Sequence, residues 1–225
     1  MNIPTEAGRD TRRTPLNRAR IVEAAVRLAD TAGPSGVTMR AVAASLGVEA
    51  MSLYNHVANR ADLLDGMVDA VFAEIGLPDA SGHWRGEMHA LAVSTRTALQ
   101  RHPWAIGMLD SRSTPGPATL RHHDTVLGAL RRAGFSTTMS VHAVSALDSY
   151  VYGSLLQEAS LPLRDGRDLG DAAAELIASL PVADYPHLAE IARERADAGV
   201  AAPSADDEFQ FGLALILDGL GPDTP

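Results

Sequence analysis

The stretch Val37 to Val57, VTMRAVAASLGVEAMSLYNHV, carries residue types and spacing suited to hydrogen bonding with a nucleic acid. Thr38 is placed as a helix cap, and Met39, Val42, Ala43 and Leu46 follow at i, i+3, i+4 and i+7, the pattern of one apolar helix face. Gly47 supplies the stop. A second short helix, Ala50 to His56, turns Leu53 inward, with Val57 one turn further on. The residues of this second helix that do not face the core are Glu49, Ala50, Met51, Ser52, Tyr54, Asn55 and His56. They are short or hydrogen-bonding and bring little like charge to a polyanion. Around them Thr38, Arg40 and Arg60 stand at helix starts, where hydroxyls, guanidinium groups and backbone N–H can meet phosphate. Two helices joined by a glycine turn at this spacing make a helix-turn-helix, whose second helix enters a major groove.

A second set of reactive residues is the histidines, eight in number, with His122, His123 and Asp124 consecutive. Neighbours on a helix point about 100° apart, so these three need a partner such as His142 from another helix to hold one ion. The chain has no cysteine, which excludes disulfides, thiolate nucleophiles and cysteine-based zinc sites. HExxH, GxSxG and phosphate-loop motifs are also missing from the sequence. We therefore expect no enzyme activity, no metal and no cofactor.

The elements that must position the first set are helical. Thr14 followed by Pro15 reads as a cap with proline at the first helical position, and the apolar face from Leu16 to Ala32 stops at Gly33. Asn59 caps a further helix whose Leu63, Leu64, Met67, Val68, Val71, Phe72 and Ile75 form a broad stripe, ended by Gly76 and Pro78. Helical spacing then continues over Trp84 to Arg101, Pro103 to Asp110, Pro117 to Ala133 and Thr138 to Ala159. After a charged loop, Arg164 to Asp168, weaker patterns run over Asp171 to Leu180, Pro186 to Ala198 and Ala205 to Leu220. No alternation of period two persists, so the chain is expected to be all-α. It divides into a flexible arm (1–14), a three-helix helix-turn-helix DNA-binding domain (15–60) and a helical ligand-binding and dimerisation domain (61–225), connected by the helix over 60–76.

Charge supports the division. The net charge is −9, but residues 1–60 carry eight arginines against five acids, and the remainder carries eleven arginines against twenty-three. A basic head on an acidic body suits a chain whose head alone approaches phosphates. Residues 1–14 are polar, with no apolar run behind them, so the expected location is the cytoplasm, with no membrane partner.

Residues 16–65 closely resemble the DNA-binding domain of the TetR family of transcriptional regulators. The residues that carry the resemblance are IVEAAVRLADTAG, GVTMRAVAASLGV and SLYNHVANRADLLDGM. A second stretch, from Trp84 to about Glu158, with DTVLGALRRAGFS and YVYGSLLQE, is similar to the C-terminal domain of tetracycline-repressor-type members. By position, the resemblance implies that Arg40 reads a guanine edge, its alternative being a surface ion pair. It gives Ala50, Met51 and Ser52 base-edge contacts, and Thr38, Tyr54, His56 and Arg60 phosphate contacts, with core packing the alternative for Tyr54. Arg12 and Arg13 lie in the arm, either at a groove or solvated.

The resemblance also implies a small-molecule effector site in the second domain. Trp84, Met88, Trp104, Met108, Val141 and Val144 are the candidate lining, the alternative being solid core. Asp148 would meet either a cationic ligand or an internal partner such as Arg112. Tetracycline-sensing members hold a magnesium ion through histidines at positions where this chain has Ile75 and Gly76, and Met108 and Leu109. The effector expected is therefore largely apolar and metal-free. A homodimer is expected through Thr138 to Ala159 and Ala205 to Leu220, on the apolar surface of Val151, Leu155, Phe209, Phe211, Leu213, Ile216 and Leu217, with internal core the alternative for Phe209. The function expected is a repressor that binds a palindromic DNA operator as a dimer. The alternative is a regulator of the same fold whose second domain serves protein contacts only.

Overall fold

A computed structural model describes residues 15–79, 82–109, 114–160, 184–191 and 204–222. Every regular element among them is helical. An N-terminal head contains α1 (Arg18–Ala32), a 3-10 turn (Pro34–Gly36), α2 (Met39–Leu46) and α3 (Ala50–Leu53). Helix α4 (Arg60–Glu74) leads into a body of α5 (Trp84–Arg101), a 3-10 turn (Pro103–Ala105), α6 (Pro117–Arg132), α7 (Thr137–Ser160) and α8 (Ala205–Gly219). Residues 186–191 are helical too. The expected arm over 1–14 with Arg12, Arg13 and the expected Thr14 cap, Arg112, the expected loop Arg164 to Asp168, the expected helix Asp171 to Leu180 and residues 192–198 lie outside the described residues.

Several caps fall where the sequence places them. The Thr38 hydroxyl accepts from Ala41 N at 3.1 Å and Asn59 Oδ1 accepts from Asp62 N at 3.0 Å, each satisfying a free N–H of a first turn. Gly47 ends α2 in the left-handed region, at φ 66° and ψ 37°. Three expected helices differ. Helix α1 starts at Arg18, because Asn17 Oδ1 accepts from Arg20 N at 2.9 Å and so caps the helix two residues beyond Pro15. Helix α3 ends at Leu53, and Tyr54 to His56 form a turn in which His56 N donates to Leu53 O at 2.9 Å. The expected helix from Pro103 to Asp110 is a 3-10 turn over Pro103–Ala105 with i→i+3 bonds from Ala105 and Met108, and Asp110 lies outside the described residues.

Helix α4 is the shared wall. Its Leu63, Leu64, Met67, Val68, Val71 and Phe72 are all buried, against α1 on one side and α5 and α6 on the other. Such burial stabilises by about 1.5–3 kcal/mol per large side chain. A polar tie adds to it: Asp69 Oδ1 accepts from Thr119 N at 2.8 Å and from its hydroxyl at 3.0 Å, so α4 caps α6, whose own N-cap is Gly116.

In the body, α5, α7 and α8 close around Arg96. Its guanidinium is bonded to Glu158 at 2.6 Å and to Asp206, and lies 4.8 Å over the Phe209 ring. Here the structure corrects the expected dimer surface. Val151, Leu155, Phe209, Leu213 and Leu217 are buried inside the single chain, because α5 and α7 already cover that side of α8. Phe211 and Leu215 on α8, and Val141 and Leu156 on α7, are large apolar side chains that stand exposed. No helix among the described residues is long and apolar enough to cross a membrane.

Candidate DNA-reading face and ligand groove

The head separates an inner from an outer face by helical geometry alone. Leu53 and Val57 point into the core with Ile21, Val42 and Ala43, which fixes α3 against α1 and α2. The opposite face of α3 then stands free. Met51 is 74% exposed, and Glu49, Tyr54, Asn55 and His56 are exposed beside it. Ala50 and Ser52 are half-buried at its edge. On α2, Thr38 and Arg40 are exposed, and Met39 packs partly against the core. Among the described residues no hydrogen bond or ion pair engages Arg40, so its guanidinium is available. Tyr54 keeps 46% of its surface exposed.

Arg60 sits differently. Its Nε donates to Val37 O and its Nη2 to Pro34 O, both at 2.9 Å, so much of its guanidinium fastens the turn before α2. The brace on the other side of α3 is Arg18. Its Nη2 lies 2.6 Å from Asp62 Oδ1, its Nη1 donates to Asp62 Oδ2 at 2.9 Å, and it also reaches His56 O at 3.5 Å. The hydrogen bond from Arg18 holds the Asp62 carboxyl below the usual carboxylate range, with Ala58 N adding to it. Together these fix the turn before α2 and the turn after α3. Sequence reasoning missed Arg18 as a positioning residue, because its partner lies forty-four residues away.

The residues expected to line an effector site do not come together as one group. Val141, Val144 and Asp148 of α7 do meet, in an open groove of about 370 Å³ completed by His123, Leu127, Ser145, Ser149 and Tyr152. Met88 is fully buried in the solid core. Trp84 packs edge-on against Phe135, ring centroids 5.0 Å apart, beside a separate small cavity of about 110 Å³. Trp104 donates from Nε1 to Asp30 Oδ1 at 2.7 Å, facing the head rather than the groove. Met108 is half-buried. The groove residues of α7 recur at i, i+3, i+4, i+7, i+8 and i+11, a stripe visible in the sequence but too mixed in polarity to stand out.

Behind the groove, His122 is buried against Phe72, with ring centroids 5.1 Å apart. Its Nδ1 has no hydrogen-bond partner among the described residues. Burial, with the neighbouring His123 adding, lowers its pKa from an ordinary 6.5 to about 4, so the ring is neutral near pH 7. Among the described residues no group of three or more His, Asp or Glu side chains could hold a metal ion. The positions that hold magnesium in tetracycline-sensing relatives do not fit one. Ile75 and Leu109 are buried and apolar, Met108 offers a thioether only, and Gly76 donates its N–H to Ser94 Oγ at 2.8 Å.

A helical head with an exposed polar recognition face, joined through α4 to a larger helical body, defines a helix-turn-helix regulator. The comparisons agree. Residues 21–67 match the family of bacterial regulatory proteins of the tetR type, and residues 77–222 match the tetracyclin repressor-like C-terminal domain. The HTH-type transcriptional repressor DrrR1 of Streptomyces coeruleorubidus is 34% identical over 96% of this chain and 82% of its own length. The class A tetracycline repressor protein from transposon 1721 of Escherichia coli is 30% identical over 92% of this chain and 91% of its own. The crystal structure of the Streptomyces coelicolor TetR family protein ActR in complex with actinorhodin superposes with a TM-score of 0.75 at 27% identity, covering 91% of this chain and 95% of that one. The chain belongs to the TetR family of transcriptional regulators, and as such is a DNA-binding protein rather than an enzyme.

Proposed function

We propose that this protein is a homodimeric repressor that binds a palindromic operator and is released from it by a small, largely apolar molecule held in the groove between α6 and α7. The observation that carries the reading is that one helix, α4, connects the exposed face of α2 and α3 in the head with the body that holds the open groove. Arg40 reads a base edge, Met51 and Ala50 lie against apolar base atoms, and Thr38, Tyr54 and His56 hold phosphates. The resemblance to ActR, which was crystallised with actinorhodin, and to tetracycline repressors supports an effector role for the groove. Val141, Val144 and Leu127 give the groove an apolar wall, and Asp148, Tyr152 and His123 give it a polar edge.

The dimer forms through the exposed Phe211, Leu215 and Leu156, which would otherwise leave apolar surface in water. Half-site centres then lie about 34–36 Å apart, one helical turn of duplex. A ligand acts by favouring one of two α4 positions, and by reciprocity operator DNA weakens ligand binding by the same factor. The test is selection of a duplex by the full-length protein from a random-sequence library, followed by a thermal-shift screen of small molecules against the protein. The expected results are a palindrome and an apolar hit that releases it, unaffected by EDTA. Failure to enrich any duplex would overturn the operator reading, and loss of the response in EDTA would overturn the metal-free effector.

A further inference from the structure

His102 occupies a position that neither the reading face nor the groove accounts for. It is the residue at which α5 ends, followed by Pro103, and it is buried to 7% exposure where head and body meet. Its Nδ1 lies 2.7 Å from Asp30 Oδ1 in the last turn of α1, and its Nε2 lies 3.3 Å from both carboxylate oxygens of Glu74, the last residue of α4. Trp104 Nε1 donates to the same Asp30 oxygen at 2.7 Å, and Arg101 Nη1 lies 2.9 Å from Glu74 Oε2. Among the described residues, the charged groups around the ring are Asp30 from α1, Glu74 from α4 and Arg101 from α5.

Two features of this cluster bear on function. Asp30 and Glu74 each put a negative charge at a helix C-terminus, the end where the backbone dipole disfavours it, and neither helix has a basic residue in its last turn. A cation placed between the two termini offsets both. In addition, both partners of the ring are acceptors, so both contacts exist together only when both ring nitrogens carry protons. With one proton, the ring can donate to α1 or to α4 but not to both.

We propose that His102 is a positioning residue that fixes the tilt of the DNA-reading head on the body, and that it holds α1 and α4 together only as the doubly protonated ring. The proposal rests on operator binding as read above. Specific binding by a dimer requires two recognition helices at a set separation, so a loosened head loses operator affinity. Non-specific binding needs only phosphate contacts and is indifferent to the tilt.

The experiment uses full-length wild type and His102→Gln, with the duplex that wild type selects from a random-sequence library and a scrambled duplex of equal length. Binding is followed by fluorescence anisotropy at constant ionic strength across about pH 5 to 8. The readout is the ratio of the two affinities, in which phosphate contacts common to both duplexes cancel. The expected result is a wild-type ratio that falls about tenfold as pH rises, and a flat, low ratio for His102→Gln. Asp30→Asn, which keeps an acceptor for Trp104 but removes the charge, is expected to flatten the profile as well. A wild-type ratio that does not change with pH, or a His102→Gln profile matching wild type, would overturn the proposal. If wild type selects no duplex, the operator reading itself falls. Should His102→Gln not fold, 15N shifts of the wild-type His102 ring in DNA-free protein decide the protonation claim. Two protonated nitrogens at the acid end, with shifts in α1 and α4 amides on deprotonation, support it. A singly protonated ring throughout contradicts it.

Discussion

The head and the body each keep a surface out of the core, and they do it by opposite means. In the head, the free face follows from four residues of α3, with Leu53 inward and Met51 outward on the same helical turn. Capping and bracing side chains fix its position: Asn17, Thr38 and Asn59 at helix starts, Arg18 and Arg60 across the turns. In the body, the groove lies between α6 and α7, and its α7 wall is made of valine, serine, aspartate and tyrosine. The lesson is that a recognition surface built on short capped helices is written locally, whereas a groove between long helices is written in how they pack.

That contrast can be broken most severely at Leu217, which is buried under α5 and α7 although its spacing suggested a dimer contact. Leu217→Ala should cost about 2–5 kcal/mol in urea unfolding. Phe211→Glu, at a position 65% exposed, should leave subunit stability nearly unchanged and yield monomers in sedimentation. If Phe211→Glu stays dimeric, the interface lies elsewhere.

Next in size is the effect of acid on the body. The His122 ring has its pKa lowered to about 4 in the folded protein, whereas the unfolded chain takes up the proton near the ordinary 6.5. Its contribution is therefore complete above about pH 6.5 and is lost as pH falls towards 4, an effect of about 3 kcal/mol. His122→Leu should remove this part of the acid dependence, measured by denaturant midpoints from neutral pH downwards.

On the reading face, Arg40→Ala should cost about 1–3 kcal/mol on the selected duplex and relax the preference at one base position. His56→Ala should weaken all sequences alike. Equal losses on selected and scrambled duplexes for Arg40→Ala would move it to the phosphates.

The smallest effect belongs to the Arg18 to Asp62 brace, whose side chains are 46% and 31% exposed. Because the Asp62 carboxyl is held below its usual range, the brace stabilises at neutral pH and is lost as pH falls through the lowered value. After solvent screening, Asp62→Asn should cost under about 1 kcal/mol, while raising the mobility of the turn from Tyr54 to His56 in amide exchange.

Much of the head was legible because its signals are short-range. Thr38, Gly47 and Asn59 mark their boundaries within a few residues, and the 3.6-residue period separates Leu53 from Met51. Its errors have the same origin in reverse: Asn17 caps α1 through a contact that the more familiar Thr14 and Pro15 pair obscured. The body was legible as helices but not as a site. Met88 and Trp104 have the composition of a ligand wall, yet packing places one in the core and the other against Asp30. Leu213 and Leu217 were misplaced at the dimer surface for the same reason, since no periodicity within α8 says which neighbour covers them.

The account depends most directly on α2 and α3 reading DNA in a symmetric pair. The measurement that tests it is a footprint of the full-length protein on its selected duplex, repeated over a salt series. The account predicts two protected half-sites related by a dyad, centred about 34–36 Å apart, with affinity falling steeply as salt rises. A single asymmetric footprint, or binding that does not respond to salt, would contradict it.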